Sequence, residues 1–113
     1  TVKLHNECHY CIAMHSAQLA ATHADVVAAL RAGSALADER LEALRLFTRA
    51  MLETRARPDD ATHARFTAAG FTDENALDVT LGVGVYTSST FLNVLTGAEL
   101  DPAFAAHAWH APA

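Results

Sequence analysis

The sequence predicts an all-α fold, a single compact helical domain of about five helices over residues 1–113, from three observations. Alanine supplies 25 of the 113 residues while aromatics make up only 7%, a composition that favours closely packed helices over a β-core of large side chains. Apolar residues recur at helical spacing in several stretches. Helix-breaking Gly33, Pro58, Gly70 and Gly97 punctuate those stretches.

The elements follow in order. A first helix is predicted from about Glu7 to His23 and a short second one from about Asp25 to Arg31, stopped by Gly33. A third covers about Asp38 to Ala56. There Leu41, Leu44, Phe47 or Thr48, Met51 and Leu52 form the inward stripe, with Glu39, Arg40, Arg45 and Arg49 outward. Acids lead this helix and arginines end it, in keeping with the macrodipole, and Pro58 blocks continuation. A fourth runs from about Asp60 to Ala69. Thr72 then caps a fifth helix that carries Asp73 and Glu74 in its first turn and reaches about Leu95, before Gly97. Within it Val79, Leu81, Val83 and Val85 alternate with Thr80, Gly82, Gly84 and Tyr86, a period of two that is also a strand signature. The flanking caps and the lack of a partner strand favour helix. That reading places Leu77, Leu81, Val85, Leu92 and Leu95 on one stripe, with Gly82 and Gly84 suited to a close helix crossing. The tail from Pro102 to Ala113 is expected to be a loop or docking segment whose Phe104 and Trp109 need a surface to cover them. Thr1 is not an initiator Met, and Val2–His5 reads as the end of an element, so a further N-terminal piece is expected.

Bulk properties narrow the function classes. The net charge of −5 and a pI near 5.7 argue against a phosphate-backbone partner. No apolar run reaches the roughly 18–20 residues of a membrane span, and no signal-peptide pattern opens the chain. A cytoplasmic protein, without nucleic-acid or membrane partners, is the expectation. With 51% apolar residues and a mean hydropathy of +0.11, so short a chain is expected to bury surface against further copies of itself.

The segment Asn6-Glu7-Cys8-His9-Tyr10-Cys11-Ile12-Ala13-Met14-His15 carries the chemistry and holds both cysteines. Two thiols separated by two residues can close a small disulfide in a helical turn. At a helix N-terminus the free amides and the dipole stabilise a thiolate. His15 lies one turn beyond Cys11, so Cys8, Cys11 and His15 are expected on one helix face, with the imidazole able to move a proton. Such a set is a redox centre: one sulfur is oxidised and the other resolves it as a disulfide. Two blander readings stand beside it. The cysteines can be ordinary buried small side chains, and His5, Cys8, Cys11 and His15 can be a four-ligand zinc set. His23, His63, His107 and His110 have no patterned partner, Tyr86 reads as core, and His9 faces away from the cysteines. No glycine-rich phosphate loop is present, so no haem, flavin or nucleotide cofactor is expected.

This pattern, Cys-x-Tyr-Cys-x-x-x-His leading into an Ala-rich helix, resembles the AhpD-like alkylhydroperoxidases of the carboxymuconolactone decarboxylase superfamily, in particular its peroxidase-related branch. The segment from Gly70-Phe71-Thr72-Asp73-Glu74 through Leu95 and Leu100-Asp101 is similar to that family's closing helix. The resemblance implies an all-helical fold, assembly into trimers or hexamers, and thiol-dependent reduction of hydroperoxides recycled by an external dithiol. It implies that Cys11 attacks the peroxide, Cys8 resolves the sulfenic acid, and His15 belongs to a proton relay. The relay glutamate of the characterised branch would fall ahead of Thr1, and Tyr10 stands where that branch has His. By dipole alone Cys8, nearer the helix start, is the more acidic thiol; His15 favours Cys11. The alternative function is a disulfide oxidoreductase or redox sensor that uses the same pair on a protein partner.

Overall fold

The computed structural model describes residues 1–112, and the described residues are helical with no strand. The described chain opens with one turn of helix, α1 (Val2–His5). Its Val2 is buried, and the turn lies against three longer helices. The chain leaves it through Glu7, which adopts a left-handed φ of 51°. In that reversal the Cys8 amide donates back to the Lys3 carbonyl at 3.2 Å. The next helix, α2 (His9–Ala32), therefore starts two residues later than the sequence suggested, with extended Cys8 as its N-cap.

The expected division of this stretch into two helices is present as a break at His23 (φ −142°, ψ 54°). The bend folds residues 24–32 back on residues 9–22. It lets the Arg31 guanidinium donate to Ser16 Oγ at 3.2 Å, a reach that a straight helix of that length would not allow. Gly33 ends α2 at φ 69°, in the left-handed cap that glycine adopts without a Cβ penalty.

Helices α3 (Glu39–Thr54) and α4 (Asp60–Ala68) form a hairpin. Asp38 caps the first through the Leu41 amide at 2.8 Å, and Asp59 caps the second through the Thr62 amide at 2.8 Å. The core between them is aromatic. Phe47 stacks on Phe66 at 4.0 Å between centroids, Phe66 stacks on Phe71 at 4.7 Å, and the Arg40 guanidinium covers Phe71 at 4.5 Å. The predicted stripe on α3 needs correction. Leu41 is 41% exposed, while Glu42 is buried. Arg45, placed outward by the pattern, folds inward because the buried carboxylate holds it. Its Nε donates to one carboxylate oxygen at 2.8 Å and a terminal nitrogen to the other at 2.7 Å.

The doubtful stretch is helical. Helix α5 (Asp73–Leu95) opens with a capping box in which Thr72 and Asn75 satisfy each other's backbone amides. One side of α5 rests on α1, α2 and α3, with Thr90 fully buried and accepting from Asn6 Nδ2 at 2.9 Å. The tail forms a short 3₁₀ helix, Pro102–His107, that packs on α2. Arg31 ties it down by donating to the carbonyls of His107 (3.0 Å) and Ala108 (2.8 Å). Phe104 and Trp109 are half-buried, as their need for cover suggested; Ala113 lies outside the described residues. No helix among those residues is long and apolar enough to cross a membrane.

Candidate redox site

Cys8 and Cys11 are joined as a disulfide, their Cα atoms 5.3 Å apart. The α1–Glu7 reversal and the start of α2 place them there. Cys8 sits just outside the helix and Cys11 in its first turn. The Cys8 sulfur takes the position of a capping side chain, accepting from the Cys11 backbone amide at 3.3 Å. This sulfur therefore sits where the helix dipole and an otherwise unpaired N–H both favour negative charge. The Cys11 sulfur has a different donor, Asn93 Nδ2 at 3.3 Å, supplied by α5. Both cysteines are almost completely buried in the chain.

A cleft of about 500 Å³ opens on one side of the disulfide, between the start of α2 and the end of α5. Cys8 reaches it, with Glu7, Tyr10, Asn93, Val94 and Gly97 among its walls, and Cys11 is not part of its lining. Tyr10 is anchored at the rim. Its hydroxyl donates to Asp101 at 2.9 Å, and its ring meets Phe104 edge-on at 6.2 Å. The Asp101 carboxylate accepting that proton pushes the phenol above its ordinary pKa. His9 turns to the tail, its Nδ1 donating to the Trp109 carbonyl at 2.7 Å, with the His110 ring 5.7 Å away.

His15 is placed differently from the two sulfurs. Its Nδ1 donates to the Cys11 carbonyl at 2.8 Å, and no hydrogen bond joins it to either sulfur among the described residues. That bond fixes the proton on Nδ1 and leaves Nε2 as the free acceptor. The ring lines an apolar cavity of about 430 Å³ with Leu19, Leu30, Leu44 and Tyr86, and it meets Tyr86 edge-on at 6.4 Å. Burial lowers its pKa, and the nearby Lys3 charge adds to that effect against the opposing carbonyl bond. Lys3 itself lies 4.5 Å over the Tyr86 ring. The four residues His5, Cys8, Cys11 and His15 do not converge: among the described residues no three His, Cys, Asp or Glu side chains form a metal-ligating group.

Two contacts beside the disulfide, Tyr10–Asp101 and Cys11–Asn93, carry little signal in the sequence. Asp101 stands in the sequence only as part of the closing segment Leu100-Asp101. Asn93 is the one strongly polar side chain within Phe91-Leu92-Asn93-Val94-Leu95. A lone amide in an apolar helical run requires a partner when it is covered, and that was the available signal. No family model matches this chain, and no curated protein matches it.

Proposed function

We propose that the chain is a thiol-dependent peroxidase of the AhpD-like kind, cycling the Cys8–Cys11 pair between dithiol and disulfide. The observation that carries this reading is the disulfide itself, set at a helix N-terminus, with each sulfur accepting one N–H. In the reductive half-cycle an external dithiol converts the disulfide to two thiols. In the oxidative half-cycle the Cys11 thiolate attacks the terminal O–O bond of a hydroperoxide. The sulfur takes up one oxygen as the sulfenic acid, and the alkoxide leaves as an alcohol after taking a proton. Cys8 then attacks Cys11, the S–S bond forms and water leaves. The AhpD-like resemblance gives His15 the part of proton carrier, with Nε2 free while Nδ1 holds the Cys11 carbonyl.

Cys11→Ser removes the attacking sulfur, and Cys8→Ser removes the resolving one. With dithiothreitol and cumene hydroperoxide, turnover falls to the uncatalysed rate in the first variant. In the second it drops at least about tenfold, because the sulfenic acid must wait for external thiol. Turnover retained by folded Cys11→Ser contradicts the assignment. The second reading, disulfide exchange with a protein partner, is favoured by one observation: Val94, 55% exposed, lines the cleft beside Cys8. It gives slow reaction with peroxide and fast reaction with a protein disulfide or dithiol. Both readings fit a reducing, cytoplasmic setting in which the pair is recycled.

The chain is also proposed to assemble with copies of itself through α5. Leu77, Leu81, Val85, Phe91, Leu92 and Leu95 are each more than half exposed. Residues 79–98 contain no charged side chain, so two such faces meet without like-charge repulsion. Their combined apolar surface approaches roughly 800 Å², one partner's share of a standard interface.

A further inference from the structure

We infer that Asn93 belongs to the catalytic machinery, as the donor that holds negative charge on the Cys11 sulfur, and that the reducing thiol enters at Cys8. This rests on the redox reading of the Cys8–Cys11 pair. It follows from the unlike surroundings of the two sulfurs. Both cysteines are almost completely buried, but Cys8 belongs to the wall of the 500 Å³ cleft and Cys11 does not, so Cys8 is the nearer of the two for a thiolate that enters by the cleft. Exchange needs attack in line with the S–S bond, so the sulfur that leaves is the far one. Here that is Cys11, and Asn93 Nδ2 lies 3.3 Å from it.

The step balances. The reductant thiolate forms an S–S bond to Cys8, the Cys8–Cys11 bond breaks, and its electron pair remains on Cys11 as thiolate. The second thiol of the dithiol then displaces Cys8 and leaves as the cyclic or protein disulfide. Cys11 emerges as the thiolate that the peroxide step requires, so one amide serves both half-cycles. Asn93 suits this role because it is a neutral donor on an uncharged stretch of α5, residues 79–98. The charged or titratable groups on the cleft side are Glu7, His9 and Tyr10 of the α1–α2 junction. His15 binds the Cys11 carbonyl rather than its sulfur. Among the described residues, no other side chain donates to Cys11 Sγ.

The test uses no peroxide. The Cys11 pKa is read from the pH dependence of iodoacetamide alkylation in Cys8→Ser, alone and combined with Asn93→Ala, Asn93→Ser or Asn93→Asp. Loss of a hydrogen bond to a charged group raises it by about one unit in Asn93→Ala. The shift is smaller in Asn93→Ser, which keeps a donor, and larger in Asn93→Asp, which sets a carboxylate against the sulfur. With both cysteines present, Asn93→Ala slows reduction by dithiothreitol about tenfold. Acid-quenched reaction with glutathione, mapped by mass spectrometry, places the mixed disulfide on Cys8.

An unchanged Cys11 pKa in folded Asn93→Ala and Asn93→Asp overturns the role of Asn93, as does an equal shift in all three variants. Glutathione found on Cys11 overturns the direction of approach. A disulfide that dithiothreitol cannot reduce in the folded protein contradicts the redox reading itself. A protein that passes all these measurements yet ignores peroxide loses only its peroxidase assignment.

Discussion

Glu42 shows how much one buried group organises. Its carboxylate accepts twice from Arg45 and once from the Leu36 amide at 2.9 Å, so it ties the loop before α3 to the helix. The Arg45 hydrogen bonds, with Leu36 assisting against the cost of burial, hold its pKa down from 4.5 to about 2. A depressed carboxylate pKa means that the unfolded chain binds more protons between the two values. The stability it contributes is therefore present above pH 4.5 and is lost as pH falls toward 2. Glu42→Gln lowers stability at pH 7 by roughly 2 kcal/mol and flattens the loss of stability between pH 5 and 2. Urea titrations at several pH values measure both. A parallel acid limb in wild type and variant contradicts the coupling. The Cys8–Cys11 pairing was legible because two thiols at that spacing can close a disulfide, whereas His15, expected beside the sulfurs, bonds the Cys11 carbonyl instead. Asn93 lies 82 positions from the sulfur it touches, and only the packing of α5 against α2 brings it there.

Helix α5 is the element whose sequence and surroundings disagree most within a single chain. Gly82 and Gly84 each weaken a helix interior by about 1 kcal/mol relative to Ala. Among the described residues nothing beyond the helix's own backbone comes within 4 Å of where a Cβ would stand on either. The close crossing that the glycines suggested is thus not made inside one chain. The apolar stripe that would flank such a crossing stays exposed, with Leu77 at 71% and Leu81 at 69%. If a second copy occupies this face, Gly84→Ala raises the stability of the dissociated helix and weakens association, whereas Leu81→Asp abolishes it. Light scattering at micromolar concentration reads the mass. A monomeric wild-type chain contradicts self-assembly, and an oligomer unaffected by Leu81→Asp places the contact elsewhere. The helical outcome here was legible from Thr72 and the absent partner strand, since caps and topology outweigh a short alternation of β-branched residues. The inward turn of Arg45 was not. Periodicity assigns a charged residue to solvent and carries no sign of the buried carboxylate one turn away.

At the scale of the whole molecule, the fold serves to bring three distant pieces to one place. The α1 reversal presents Cys8, the start of α2 buries Cys11, and the far end of α5 supplies the donor and a wall of the cleft. The folded-back tail holds two of the cleft's wall residues, Tyr10 through Asp101 and His9 through the Trp109 carbonyl. Most boundaries of the longer helices could be read from caps and breakers because those signals are local; the count could not, since two expected helices join in α2 and both α1 and the 3₁₀ helix were read otherwise. The cleft could not, because it lies between the two ends of the chain. Redox cycling at this junction is decided by a stopped-flow experiment: fully reduced protein is mixed with cumene hydroperoxide or hydrogen peroxide, and free thiols are counted through the reaction. Loss of both thiols together, with one equivalent of peroxide consumed per disulfide formed, is the result expected. Thiols that persist in folded protein under excess peroxide contradict the peroxidase reading.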